Sequence, residues 1–400
     1  MPATGFQKAT IRDLDLRGKR VLVRVDFNVP LEGSRIVDDT RIREALPTIR
    51  ALVDQGARVI LMTHLGRPDG TVDEGFRTAP LAARLAELLG RPVRHLDDSV
   101  GPPVEQAISQ MRDGDVVMLE NVRFHPGETR NDPEFAKQLA SLGDVFVNDA
   151  FGTAHRAHAS TVGVAAYLPA VAGLLMEREI STLGRILTDP PHPLVAILGG
   201  SKISTKIGVI RNLLPRVDHL CIGGAMACTF FKADGLEVGR SLVEDDHLGT
   251  AKELTALAAS LRHPIHLPLD AVVAAGAKPG VATRVVNVRA IPADQRVLDI
   301  GPMTVERFLM IADGAGAVVW NGPLGVYEVP PFDQGTASLA RGLAGTAAQT
   351  IVGGGDLVAA LQELGLAGHM SFVSTGGGAT LEFLEGKTLP GLAALRDKTG

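Results

Sequence analysis

Arginines stand at matching places along the first part of this chain. One aliphatic run closes on Asp26-Phe27-Asn28, with Arg41 opening the stretch beyond it. The next closes on His64-Leu65-Gly66-Arg67, a third on Asn121-Val122-Arg123-Phe124, and a fourth on the segment Asn148 through Arg156. A guanidinium offers paired donors matched to phosphate or carboxylate. Several of them gathered on one edge repel one another unless an anion lies between them. The Asp, Asn and His beside each one supply the donors and acceptors that orient a small polar ligand. The chemistry implied is the grip of an acidic small molecule.

The later part of the chain ends its aliphatic runs on glycine instead: Gly199-Gly200-Ser201-Lys202, Gly223-Gly224, Asn321-Gly322-Pro323, Gly353-Gly354-Gly355-Asp356 and Gly376-Gly377-Gly378. Glycine lets backbone N–H groups come close to phosphates, and a helix N-terminus adds partial positive charge. Repeated along one edge, such turns suggest a bed for a nucleotide. Lys202 and Lys206 lie one helical turn apart, within reach of its phosphates. Asp356 follows three glycines and opens a helix, where a carboxylate either caps the helix or holds Mg²⁺ on nucleotide phosphates. A half that grips an anion and a half that grips a nucleotide make the layout of a phosphoryl-transfer enzyme, whose sites must close to exclude water.

Other chemistries lack their marks. No GxxxxGK[ST] occurs, and no GxGxxG opens a helix, which argues against P-loop and dinucleotide sites. His155-Arg156-Ala157 is not the His-Arg-Asp of protein kinases. His155 and His158 could share a helix face, but no carboxylate or Cys stands at ligand spacing.

Strands must carry these loops. Lys19–Val29, Arg58–Thr63, Asp115–Glu120 and Asp144–Asn148 read as strands, and Arg41–Gln55 and Thr78–Leu89 as helices, the first capped by Asp39 or Thr40. The pattern restarts near residue 190. Strands are expected at Pro193–Leu198, His219–Ile222, Val297–Ile300, Ala317–Trp320, Thr350–Val352 and Ser371–Ser374. Helices lie between, at Gly224–Ala233, Asp245–Leu261, Thr304–Ala312, Gly335–Leu343 and Leu357–Leu364. A helix over Ala170–Leu187, stopped by a proline cluster, joins the halves. The fold class is α/β: two Rossmann-like domains, parallel sheets flanked by helices, with ligands at the facing carboxyl ends of the strands. The domains are residues 1–170, a hinge helix at 171–192, and residues 193–387.

Composition agrees. Of 400 residues, 45% are hydrophobic and 21% charged, and 45 are glycine. That is about 11% glycine against an average near 7%. The net charge of −5 gives no whole-molecule footprint for nucleic acid or an anionic membrane. Cys221 and Cys228 make no disulfide framework and read as buried small hydrophobes in a reduced, cytoplasmic protein. The start of the chain reads as no signal peptide. The longest apolar stretch, Val162–Met176, contains Pro169 and is too short to span a membrane.

Taken in order, Arg24 through Pro30, His64 through Pro68, Leu119 through Phe124, Asn148 through His158, Leu198 through Lys206, Trp320 through Pro323, Gly353 through Asp356 and Ser374 through Gly378 resemble the phosphoglycerate kinase family. The resemblance runs from about residue 12 to the end. It implies Mg²⁺-dependent, in-line phosphoryl transfer between 1,3-bisphosphoglycerate and ADP, in a monomer. It gives Asp26, Asn28, Arg41, His64, Leu65, Gly66, Arg67, Arg123 and Arg156 to the phosphoglycerate. It gives Lys202, Lys206, Gly223, Gly224, Val297, Asn321, Pro323, Glu328, Gly353, Gly354, Gly355, Asp356 and Leu357 to the nucleotide, with Asp356 on the metal. Arg41, Lys202 and the amides of Gly355 and Gly378 would meet the moving phosphoryl. It also returns residues 388–400 to the N-terminal domain. Leu357, Val297 and Met303 depart from the family pattern, which bears on nucleotide preference. The rival readings are a Rossmann-type dehydrogenase and an inactive nucleotide-binding scaffold. The scaffold predicts the loss of Lys202, Arg41 or Asp356, and all three are present.

Overall fold

A computed structural model describes residues 6–398. The chain forms two compact units. One holds the described residues up to Thr182 with those from Thr388 onward, and the other is Leu183–Lys387.

The first unit is built on β1 (Arg20–Arg24), β2 (Arg58–Met62), β3 (Arg94–His95), β4 (Val116–Met118), β5 (Val145–Asn148) and β6 (Ala170–Ala172). All pair in parallel, in the order β3-β4-β2-β1-β5-β6. Strands covered on both faces read as unbroken aliphatic runs, as β1 and β2 do: each is buried over its last four residues. The register sets Arg24 level with Met62 on one side and Asn148 on the other. The loops after β2, β1 and β5 therefore leave one edge side by side. The chain first builds outward from β1 through β2, then returns to its other flank with β5. That reversal opens a crevice beyond the strand ends.

Helices α1 (Thr40–Asp54), α2 (Ala79–Leu89), α3 (Pro102–Ser109) and α4 (Pro133–Ser141) alternate with these strands. The apolar stripe of α1, Ile42, Leu46, Ile49, Leu52 and Val53, is buried in the core of this unit. Its cap differs from expectation. Asp38 Oδ1 accepts from the Thr40 amide at 2.9 Å and its hydroxyl at 2.6 Å. The Asp39 carboxylate is taken by Arg43 and Arg84.

The expected helix over Ala170–Leu187 is corrected at its start. Ala170–Ala172 is the edge strand β6, and the helix, α5, covers Leu174–Thr188. Gly173 separates them, and Asp149 Oδ1 receives the amides of Leu175 at 2.9 Å and Met176 at 3.1 Å. That carboxylate fixes where the helix can begin. α5 runs across the division between the units.

The second unit holds β7 (Leu194–Leu198), β8 (His219–Ile222), β9 (Ile265–His266), β10 (Asp270–Ala274), β11 (Arg284–Asn287), β12 (Arg296–Ile300), β13 (Ala317–Asn321), β14 (Gln349–Gly353) and β15 (Phe372–Val373). Its parallel sheet runs β9-β8-β7-β13-β14-β15. Counting only these strands, the order is 3-2-1-4-5-6, the order of dinucleotide-binding sheets, although the glycine fingerprint of those folds is absent. The strand at Val297–Ile300 belongs elsewhere. As β12 it joins an antiparallel sheet, β11-β10-β12, inserted between β9 and β13. Trp320 is fully buried in the core of this unit with Val195, Ile197, Phe308 and Leu339. The helices are α6 (Ile207–Leu213), α7 (Met226–Ala233), α8 (Leu248–Leu261), α9 (Pro302–Ala312), α10 (Gln334–Leu343), α11 (Gly355–Glu363) and α12 (Gly378–Leu384).

After α12 the chain rejoins the first unit through α13 (Pro390–Ala393). Gly391 donates its amide to Ala154 O at 2.8 Å, Arg396 donates to Ala170 O at 3.0 Å, and Arg396 O accepts from Ala9 at 2.9 Å. Both cysteines are buried, and burial pushes their thiols up, Cys228 to about 11. No described helix is long and apolar enough to cross a membrane.

Candidate active site

In the first unit, the loops beyond the strand ends hold one another. After β1, the Phe27 amide donates to Thr63 Oγ1 at 3.0 Å, and Asn28 Oδ1 receives the Gly66 amide at 2.9 Å. After β4, Asn121 is the hub. Its Nδ2 donates to Leu65 O at 2.7 Å and Phe76 O at 2.9 Å, and its Oδ1 accepts from the amides of Leu65 and Arg123. Gly66 has φ +63°, and a Cβ there would collide with the Phe76 ring. The turn that presents Arg67 is therefore open to glycine alone.

On this frame, His64 is 4% exposed. Burial and then the charges of Arg24, Arg123, Arg41 and Arg156 hold its imidazole well below the ordinary histidine range. Arg24 lies 3.1 Å from its Nδ1, and Asp26, whose Oδ1 is 3.9 Å from the same nitrogen, links it to Arg41. Arg41 donates to Asp26 Oδ2 at 2.5 Å. Arg123 donates to Gly66 O at 2.7 Å and leaves Nε buried without a hydrogen bond. Burial, with Arg24 and Arg156 repelling it, pulls its guanidinium down to about 10. Arg156 reaches His155 Nε2 at 3.1 Å. Arg67 is exposed. Among the described residues, Arg67, Arg123 and Arg156 have no carboxylate partner at ion-pair distance.

The structure thus brings together Asp26, Asn28, Arg41, His64, Gly66, Arg67, Arg123 and Arg156. Leu65 plays another part. Its side chain is buried, and both its main-chain groups are spent on Asn121. Three residues with work here escaped the sequence reading: Arg24, Glu128 and Ser160. Arg24 reads as one more strand residue, and nothing in the sequence links the other two to it.

In the second unit, the reversal of strand order falls between β7 and β13. Their last residues, Leu198 and Asn321, are level, as are Asn321 and Gly353. Gly199 donates to Asn321 O at 2.9 Å, and a Cβ on Gly199 would strike the carbonyls of Gly322 and Pro323. Beside this crossing lies a cleft of about 340 Å³, lined among others by Gly200, Gly224, Val297, Pro323, Glu328 and Asp356. Val297, Pro323, Gly224, Glu328 and Asp356 therefore share one cavity. Gly223 is buried beneath Leu324.

Lys202 and Lys206 do not share a helix. α6 begins at Ile207, with Lys206 at its N-cap and Lys202 in the turn before it. Lys206 is buried and donates Nζ to Asn321 Oδ1. Burial pulls its ammonium down to about 8, against the opposing pull of Asp356 and Glu385. Lys202 is exposed, with no carboxylate at ion-pair distance among the described residues. Gly355 and Gly378 are the first residues of α11 and α12, after β14 and β15; in α12 the next amide, that of Ala379, donates to Gly376 O at 2.9 Å. Gly353 and Gly354 lead into α11. Leu357 is corrected: its side chain is fully buried in the core with Trp320 and Leu361, so only backbone remains for a ligand.

Asp356 stands exposed in the first turn of α11. The Tyr327 hydroxyl nearby is pushed up by burial and then by Glu328, Asp356 and Glu363, which marks negative potential here. No group of three His, Cys, Asp or Glu close enough to cage an ion exists among the described residues. A lone hard carboxylate fits Mg²⁺ that is bound chiefly by phosphates and water.

A sequence profile of the phosphoglycerate kinase family matches residues 11–387. A phosphoglycerate kinase of Pelotomaculum thermopropionicum is 58% identical over 391 residues, covering 98% of this chain and 100% of that one. One from Moorella thermoacetica matches at 58% over 391 residues, with the same coverage. Among solved structures, phosphoglycerate kinase from Coxiella burnetii aligns with a TM-score of 0.86 at 43% identity, over 97% of this chain and 98% of that one. That from Pyrococcus horikoshii aligns at 0.84 and 33%, over 97% and 98%.

Proposed function

The chain belongs to the phosphoglycerate kinase family, and from that premise we propose how its residues divide the reaction. The reaction is reversible transfer of the acyl phosphate of 1,3-bisphosphoglycerate to ADP, giving 3-phosphoglycerate and ATP. The first unit binds the phosphoglycerate and the second the nucleotide. The observation that carries the first assignment is the set of arginines on the loops around His64, of which Arg67, Arg123 and Arg156 make no ion pair among the described residues and Arg123 keeps a buried Nε unbonded. Like charges so gathered favour an anion placed among them. Asp26 and Asn28 orient the ligand's hydroxyl and carboxyl oxygens, and Arg41, Arg67, Arg123 and Arg156 take its charges.

The nucleotide lies along the cleft beside the β7–β13 crossing. Val297 packs on the base, Glu328 and Pro323 border the sugar, and Lys206, Asn321 and the Gly353–Gly355 turn meet the phosphates. Asp356 would hold Mg²⁺, which would neutralise phosphate charge when bound. In the direction that consumes ATP, the nucleophile is a carboxylate, already ionised near pH 7. No general base is required. The transferring group is metaphosphate-like, with its charge spread over the peripheral oxygens. Arg41, Lys202 and the amides of Gly355 and Gly378 stabilise that charge, so catalysis is positioning plus electrostatics. Closure of the two units over both substrates excludes water, which would otherwise take the phosphoryl group. We read the enzyme as a cytoplasmic monomer with no nucleic-acid or membrane partner; its net charge of −5 supports the part of this that concerns nucleic acid.

A coupled assay tests this: ATP, Mg²⁺ and 3-phosphoglycerate are supplied, and the acyl phosphate formed is reduced by an NADH-linked enzyme. Lys202→Ala lowers kcat by on the order of 100-fold, as loss of a charge that meets the transition state does. Both KM values change little. A variant with normal kcat removes Lys202 from the transfer, and a folded wild-type protein without activity removes the assignment.

A further inference from the structure

We propose that Arg24 is a positioning residue that fixes His64 as an uncharged imidazole with its proton on Nε2. His64 then serves phosphoglycerate as a neutral hydrogen-bond donor, never as a cation or a base. The proposal deepens the reading of this cradle and rests on it for the ligand.

Arg24 ends β1 and is wholly buried. Its Nε donates to Ser160 Oγ at 2.7 Å, one terminal nitrogen donates to Val25 O, and the other lies 3.1 Å from His64 Nδ1. A guanidinium has only donors. His64 Nδ1 must therefore be the acceptor, and the ring's one proton sits on Nε2. The competing partner is Asp26, whose Oδ1 lies 3.9 Å from the same Nδ1. That is outside hydrogen-bond range. The charged groups acting on the ring are Arg24, Arg123, Arg41 and Arg156, with the Asp26 carboxylate beside Nδ1 and that of Glu128 behind Arg24 and Arg123. Four cations against two carboxylates, with burial added, resist a further proton on the ring.

Arg24 is itself held from behind. Ser160 donates its hydroxyl to Glu128 Oε1 at 2.6 Å and its amide to Glu128 Oε2 at 2.9 Å. Glu128 is fully buried, and its carboxyl stays below the ordinary range because His158, Arg24 and Ser160 outweigh its burial. The chain Glu128–Ser160–Arg24–His64 thus runs from the interior to the cradle. His64 Nε2 makes no hydrogen bond among the described residues, which leaves its proton for a ligand oxygen. A neutral donor discriminates by direction where added charge would only strengthen a field already made by arginines.

The test is histidine-selective ¹⁵N labelling of the full chain, with long-range ¹H–¹⁵N spectra from pH 5.5 to 8. The His64 signals are assigned by their loss in His64→Gln. The expected result is a ring protonated at Nε2 and bare at Nδ1 across the whole range. A proton on Nδ1, or an imidazolium near pH 6.5, overturns the proposal. Because this is read on the free wild-type protein, it stands or falls apart from the assay that tests the reaction. A second arm replaces both ends of the buried pair, Arg24→Met with Glu128→Gln. There the tautomer preference is lost and His64 titrates within the range. The KM for 3-phosphoglycerate rises on the order of tenfold and becomes pH-dependent, as loss of a hydrogen bond to a charged ligand does, while the nucleotide KM holds. A folded double variant with unchanged tautomer and unchanged KM would show that Arg24 only fills space.

Discussion

Arg123 is carried by a loop that spends its own polar groups on holding it. Asn121 binds the loops on either side, and Gly66 O takes one guanidinium nitrogen while Nε waits buried and unbonded. Replacing Arg123 with Lys keeps a charge but loses the fork. The KM for 3-phosphoglycerate then rises by roughly tenfold or more while the nucleotide Kd, measured by calorimetry, stays put. Asp149 makes a different kind of prediction. Burial pushes its carboxyl up to about 6, against the pull of Thr48 and the amides of Met176 and Leu175. A carboxyl whose pKa is higher folded than unfolded binds more protons in the native state. Its contribution to stability therefore falls as pH rises from about 4 to about 6, and the full cost remains above that. Asp149→Asn keeps an acceptor for the α5 amides without the charge. Relative to wild type, the variant gains about 2 kcal/mol of stability on going from pH 4 to pH 7. Urea midpoints at the two pH values measure it, and parallel midpoints would place the charge elsewhere. At this scale most of the cradle was legible, because arginines after aliphatic runs announce themselves. Arg24 was not, since its partners Ser160 and Glu128 are distant in sequence and meet it only through packing.

Elements set where those residues stand. The β7–β13 crossing brings two backbones so close that Gly199 has no room for a methyl group against the Gly322 and Pro323 carbonyls. Gly199→Ala must push them apart. It costs on the order of 1–3 kcal/mol of stability and raises the nucleotide KM, while the KM for 3-phosphoglycerate is kept. Equal damage to both KM values would mean that the strain spreads beyond this unit. The long buried strands could be read directly, because parallel strands covered on both faces are nearly all aliphatic. Short edge pieces could not. Arg94–His95 and Ile265–His266 are two residues each, too few to show a period. Ala170–Ala172 joined the following helix in the sequence reading because alanine, valine and leucine suit either state. Only the Asp149 carboxylate, aimed at the amides of Leu175 and Met176, decides where the strand stops. Val297–Ile300 has the right composition for a parallel strand, yet its partner β10 lies nearby in sequence and runs antiparallel. Pairing direction leaves no trace in composition.

At the scale of the whole chain, α5 passes from one unit into the other without a break. Proposed closure then predicts a smaller radius of gyration in solution scattering when 3-phosphoglycerate and a nucleotide are bound together than with either alone. An unchanged radius would separate the transfer from any closing motion.

The tail has a consequence in time. The second unit is one continuous stretch, Leu183–Lys387, but the first includes residues from Thr388 on, tied to Ala9, Ala154 and Ala170. During synthesis the ribosome releases the second unit's sequence in full before those last residues emerge. The half of the enzyme that is made first is therefore the half that is finished last. Until then the carbonyls of Ala154 and Ala170 lack the amides of Gly391 and Arg396, and the first unit stays incomplete while the second can already fold.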